Sequence, residues 1–232
     1  NTIVNKDGRF NIDACDMENT IGSFRLLFLY IALIFSFFYL VITWTANNII
    51  ITETFYFVSF EKFMSIKRIE ELIDFNKKSE SLTYIVLPIV NTIRYIFAAI
   101  LIFIGIKLYE LEINFRNCIK IVLLAEMIPL LSSITKTLYF YIYPPSNFEV
   151  LQNFNPLGVS SFLNNDAIPK YLLYPIQQLN LFEVGYWLLL AYGIKSLGNV
   201  AFKKALKITS LSYGVGLLIW CIFIVFLQLQ FS

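Results

Sequence analysis

Long runs without a charged side chain alternate along the chain with short charged stretches. A bilayer core about 30 Å thick is crossed by roughly 20 apolar residues in a helix. By that measure the pattern predicts five spans, at about 26–46, 82–106, 117–140, 178–197 and 208–229. The first and last contain no charge. Each of the middle three holds an ionisable residue: Arg94, then Glu126 and Lys136, then Glu183. Trp44 closes the first span at the depth where tryptophan anchors a helix to the interface. The expected fold class is therefore an all-α integral membrane protein, a five-transmembrane-helix bundle. Residues 1–25 form a polar, charged N-terminal segment and 26–230 the membrane domain.

Two connections are too patterned to be plain loops. Between the first two spans, Phe60, Phe63, Met64, Ile66, Ile69, Leu72 and Ile73 recur at helical spacing with charges between them, which predicts an amphipathic helix. Its charges are balanced, unlike the basic face that an anionic leaflet attracts, so a packed connector is the plainer reading. Residues 144–175 hold five of the seven prolines and several asparagines. Such a stretch is neither continuously helical nor polar enough to float, and it is expected to cap the ends of spans 3 and 4.

Basic residues set the expected orientation. Lys6, Arg9, Arg25, Lys107, Arg116, Lys120, Lys195, Lys203, Lys204 and Lys207 fall on the side of the N-terminus, against Lys62, Lys67, Arg68, Lys77, Lys78, Lys136 and Lys170 on the other. The bias is sharpest at the helix ends. It places the N-terminus in the cytoplasm and the C-terminus outside.

Composition agrees with lipid as solvent: 58% of the 232 residues are hydrophobic and 15% charged, where soluble domains carry about a quarter charged. The net charge of +2 offers no basic face for nucleic acid. Histidine is absent, so imidazole dyads, relays and histidine-held metals are excluded from this chain. Cys15, Cys118 and Cys221 are far apart and form no metal or redox pair; they read as free thiols. No cofactor is expected.

An ionised side chain at mid-bilayer costs at least about 2.5–3.5 kcal/mol, so each one asks for a partner. If spans 2 and 3 form a hairpin around the turn at 110–116, Arg94 and Glu126 lie within one turn in depth, an intramembrane polar pair. Pro129 removes the helical donor of the Ala125 carbonyl, and Asn91 shares a face with Arg94; these are the supporting polar and kink residues. The same count puts Lys136 beside Glu183 near the outer surface, an interfacial pair. Two readings stay open for Arg94 and Glu126: a polar pocket or ion path, or a buried pair that fixes helix packing. In the last span Ser210, Ser212, Gly214 and Gly216 make small-xxx-small pairs, a helix-packing seam. Ser132 and Ser133 before Lys136 would admit a Ser-Lys hydrolase, but the lysine is explained by its depth.

The segment 104–131, IGIKLYELEINFRNCIKIVLLAEMIPLL, and the segment 179–208, LNLFEVGYWLLLAYGIKSLGNVAFKKALKI, followed by an uncharged span, resemble the bacterial branch of the Yip (Ypt/Rab-interacting protein) domain family. The likeness rests on Pro129, Gly193, the Phe115–Arg116 turn and the Lys203–Lys204 turn, over about 20–230. It implies five membrane helices with the termini on opposite sides, and no catalytic motif. Eukaryotic relatives associate with prenylated Rab-type GTPases; the acidic, Gly-Pro-containing cytoplasmic segment that they carry is missing here. The function expected from sequence is a non-enzymatic membrane scaffold or accessory subunit, working with other membrane protein subunits and lipids. The alternative is a transporter or permease subunit with a mid-membrane polar site around Arg94 and Glu126.

Overall fold

Apolar runs that cannot hydrogen-bond to lipid must satisfy their backbone internally, and helices do so segment by segment. The structure, a computed structural model, describes residues 14–162 and 168–231, and these are all-helical, without a strand. Helix α1 (Ala14–Thr45) ends in a π-turn, Ala46–Ile50, and is followed by the short α2 (Glu53–Phe60). Then come α3 (Ile66–Leu108), α4 (Phe115–Ala125), α5 (Met127–Ile142) and α6 (Phe148–Asn153). The chain closes with α7 (Lys170–Gln178), α8 (Leu181–Gly198), α9 (Phe202–Thr209), a second π-turn at Ser210–Gly214, and α10 (Val215–Phe231). Four stretches are long and apolar enough to cross a membrane: Leu26–Ile50, Ile66–Leu108, Phe115–Ile142 and Phe202–Gln230. They are compatible with an integral membrane protein. Helix α8, 18 residues and about 27 Å long, carries Glu183 and Lys195 and is not one of these four stretches.

The expected amphipathic helix does not stand alone. Phe60 ends α2, Phe63 and Met64 lie in the turn that follows, and from Ile66 onward the stretch is the opening of α3, which runs for 43 residues without interruption. The reason is local: neither glycine nor proline falls between Ser65 and Pro88. Pro88 lies well inside α3, with Thr92 Oγ1 donating back to its carbonyl at 2.8 Å. Lys77 on this extension pairs with Glu53 of α2 at 2.5 Å and holds that carboxylate below its usual range. Of the N-terminal segment, residues 1–13 lie outside the described residues, and α1 is already helical from Ala14.

The core is built by α3, α4 and α8, with α9 against them. Ile102, Ile106, Val122, Leu190, Ile194 and Ile208 are sealed there. Two close approaches set the spacing. A methyl group added at Gly193 would lie 2.6 Å from Ile121 Cγ2, and one at Gly105 would lie 2.5 Å from Ser212 Cβ. Small residues thus do inside the bundle what they do in membrane helix pairs, letting backbones come together. In the seam of the last span, Ser212 and Gly216 meet α3 at Gly105 and Leu101, while Gly214 meets Trp187 of α8. Ser210 and Ser212 also return their hydroxyls to the carbonyls of Leu206 and Ile208. At the far end of α8 the chain turns on Asn199 in the left-handed conformation (φ 48°), a position asparagine tolerates.

The proline-rich connection is only partly a cap. Phe148 of α6 packs on Phe55, Tyr56 and Phe60 of α2, and Phe154 stacks on Tyr139 of α5. The rest folds inward, as the site shows; residues 163–167 lie outside the described set.

Candidate functional site

Pro129 has no amide hydrogen, so a helix through it must open one turn earlier. The opening is at Glu126, which joins α4 to α5 and is itself buried. Its carboxylate is held from two sides. Arg94 of α3 donates from Nη2 to Oε2 at 2.5 Å, and the hydroxyl of Tyr186 on α8 donates to Oε1 at 3.3 Å. The guanidinium also reaches the Tyr39 hydroxyl of α1 at 3.4 Å and lies 5.8 Å and 5.5 Å from the ring centres of Tyr39 and Tyr95. Four helices therefore meet on one charge pair. While Glu126 is 2% exposed, the Arg94 side chain is 45% exposed, so the pair opens to one side.

The second break is less visible in the sequence. Gly185 faces Ile128, and Gly193 faces Ile121, which fixes α8 antiparallel to α4 and α5. In that register Leu181 stands level with Ser132, and α5 continues ten residues, about 15 Å, beyond it. Helix α8 thus starts part-way along α5, six residues, about 9 Å, beyond Glu126. Asn180 starts it, its side chain accepting from the Glu183 amide at 2.8 Å. The Gln177 carbonyl, stranded at the end of α7, accepts from Asn180 Nδ2 at 2.9 Å and Asn155 Nδ2 at 2.6 Å. Leu179 and Leu181 exchange backbone bonds with Val159 and Leu157. Irregular backbone at such depth is tolerated where it is buried in protein or lines a cavity.

A cavity of about 700 Å³ lies between the two breaks. Arg94, Glu126, Ser133, Asn180, Glu183 and Tyr213 are on its polar wall. Phe97 and Leu101 of α3, with Leu217 and Trp220 of α10, form its apolar wall. Trp220 donates from Nε1 to the Tyr174 hydroxyl of α7 at 2.9 Å. As Gly216 meets Leu101, Trp220 stands one turn on, level with Phe97; α7 therefore lies alongside α10 and not above its end.

The remaining expected site residues fall as follows. Lys136 and Glu183 form no ion pair with each other. Glu183 instead accepts from Trp187 Nε1 at 2.9 Å and from the Tyr213 hydroxyl. The pairing fails on depth, because Tyr186, one turn from Glu183, touches Glu126, whereas Lys136 is ten residues further along. Asn91 stays apart from the pair, and its Nδ2 is buried without a hydrogen-bond partner. Pro129 marks the break, with Ser133 Oγ donating to its carbonyl at 3.1 Å. Cys118 and Cys221 are free thiols. No group of three or more metal-ligating side chains is gathered among the described residues.

Sequence reasoning missed the tyrosines. Tyr39, Tyr95, Tyr186 and Tyr213 sit within the apolar spans, away from the interfaces where tyrosine is at home. A phenol at mid-span needs a polar partner, and that was the available signal. Comparison with protein-family models, curated proteins and solved structures found no match to this chain.

Proposed function

We infer that this chain is a non-enzymatic membrane protein that admits a small solute into the cavity between α3, α5, α8 and α10, as a transporter or permease subunit would. The observation that carries this reading is the position of the Arg94–Glu126 pair. It lies on the wall of a cavity of about 700 Å³, at the first of the two helix breaks that the cavity lies between. A pair that served packing alone would be closed over on both sides; here the Arg94 side chain is about half exposed. Discontinuous helices with polar groups near the midplane are the common ground of solute-binding membrane folds.

The reading includes a fifth crossing made by α7 and α8 together, with the N-terminus in the cytoplasm and the C-terminus outside a plasma membrane. Five crossings would also suit kinship with the Yip-type family. The competing function is a scaffold or accessory subunit that works by contact, and such a protein has no need of solvent at Arg94.

Accessibility separates the two. Ser133 lines the cavity, and Ser133→Cys changes one atom. With Cys15, Cys118 and Cys221 replaced by Ala, this cysteine in liposomes is expected to react with a charged, membrane-impermeant methanethiosulfonate. Reaction only with a permeant maleimide, or with neither, would overturn the solute reading in favour of the contact one.

A further inference from the structure

The charged side chains on the cavity wall do not sum to zero. They are one guanidinium, Arg94, and two carboxylates, Glu126 and Glu183. Arg94 is committed to Glu126 at 2.5 Å. Glu183 is held by neutral donors, the Trp187 indole and the Tyr213 hydroxyl, and has no ion pair among the described residues. Neutral donors and the N-terminal turn of α8, where Glu183 stands, orient the carboxylate and offset its charge only in part, and in a low-dielectric site the remainder is costly. With Glu183 ionised, a monovalent cation balances the wall.

The rest of the cavity says which kind. A bare metal ion asks for a close shell of oxygen ligands, and a space of about 700 Å³ faced by Phe97, Leu101, Leu217 and Trp220 does not supply one. That wall offers dispersion contact and aromatic faces, which attract organic cations. We propose that the cavity binds a monovalent organic cation with an apolar body, its head on Glu183 and its body against Phe97, Leu217 and Trp220. The proposal rests on the reading that solutes enter the cavity, and it names their class.

The test uses the full chain in phosphatidylcholine nanodiscs, equilibrium dialysis, and tetraphenylphosphonium as the probe. Tetraphenylborate, of like shape and opposite charge, is the control. The expected result is saturable binding of the cation above that of empty discs, with none of the anion. Glu183→Gln, which keeps the hydrogen-bond acceptor and removes the charge, is expected to weaken it about tenfold or more, some 1.4 kcal/mol. Glu183→Asp is expected to retain saturable binding, which separates charge from folding should the Gln variant leave gel filtration as an aggregate. Cation binding equal to that of empty discs, equal binding by Glu183→Gln, equal uptake of the anion, or loss in Glu183→Asp would each overturn the proposal. Labelling of Ser133→Cys from water without cation binding would sink this inference and leave the solute reading standing; absence of labelling would sink both.

Discussion

Arg94 and Glu126 show how a solvent without hydrogen bonds turns a single residue into a structural demand. The guanidinium spreads its charge over Glu126, the Tyr39 hydroxyl and two aromatic faces, while Tyr186 takes the second carboxylate oxygen. Removing one partner leaves the other buried and unpaired, which costs far more than the pair itself is worth. Arg94→Leu is expected to destabilise the protein by about 3–5 kcal/mol. The double replacement Arg94→Leu with Glu126→Leu is expected to cost less than the sum of the singles. Unfolding titrations in dodecyl sulfate on all four corners of the cycle measure this coupling. Additive losses would mean that the two side chains act independently. Both residues were legible in the sequence, because an ion in an apolar run is rare and its depth is countable from the run's end. Lys136 and Glu183 were counted in the same way and do not pair: the count assumed that the fourth span begins at 178 at the outer surface, whereas the register of α8 against α5 sets Glu183 level with about Leu130, six residues short of Lys136.

At the scale of elements, helix contacts are set by missing side chains as much as by present ones. Gly193 brings α8 onto Ile121 of α4 closely enough that an added methyl would stand 2.6 Å from Cγ2. Because α8 carries Tyr186 to Glu126, the same approach sets the cavity's geometry. Gly193→Ala is expected to cost about 1–3 kcal/mol through overpacking. Adding Ile121→Ala is expected to recover part of that loss by opening the space, although Ile121→Ala alone destabilises. The same sulfate titration reads both; a double variant worse than either single would show that the two positions do not share one contact. The sequence exposed Gly193 as part of a family likeness and not as a contact. Which neighbour a glycine admits depends on two helices far apart in the chain. The long α3 teaches a related lesson. Its amphipathic beginning and its apolar remainder differ in pattern, yet no glycine or proline divides them before Pro88, so a change of surroundings was mistaken for a change of element.

For the whole molecule, the question is how many times the chain crosses. Four stretches are long and apolar enough to cross. The fifth crossing of the proposed topology is assembled from α7 and α8, neither of which would be assigned with ease alone. The test is a pair of reporters. A cysteine placed at the N-terminus and one placed after Ser232, each in a background without native cysteines, are expected to react with an impermeant reagent from opposite faces of right-side-out vesicles. Labelling from the same face would mean an even number of crossings and would remove α7–α8 from the membrane path. Basic residues flanking the helices favour the expected result, since their bias is strongest next to span ends.

The sequence by itself determined the solvent, the helical class and the residues that lipid would not tolerate alone. Each of these follows from local facts: the length of an apolar run, the amide hydrogen missing from Pro129, the cost of an ion in hydrocarbon. Only the tertiary structure decided where the breaks meet. The interruption at Leu179–Asn180 is held by Asn155 and by the backbone of Leu157 and Val159, contacts that no periodicity encodes. The cavity exists because α3, α5, α8 and α10 leave a shared gap, and a gap between four helices is a property of their packing, not of any one of their patterns.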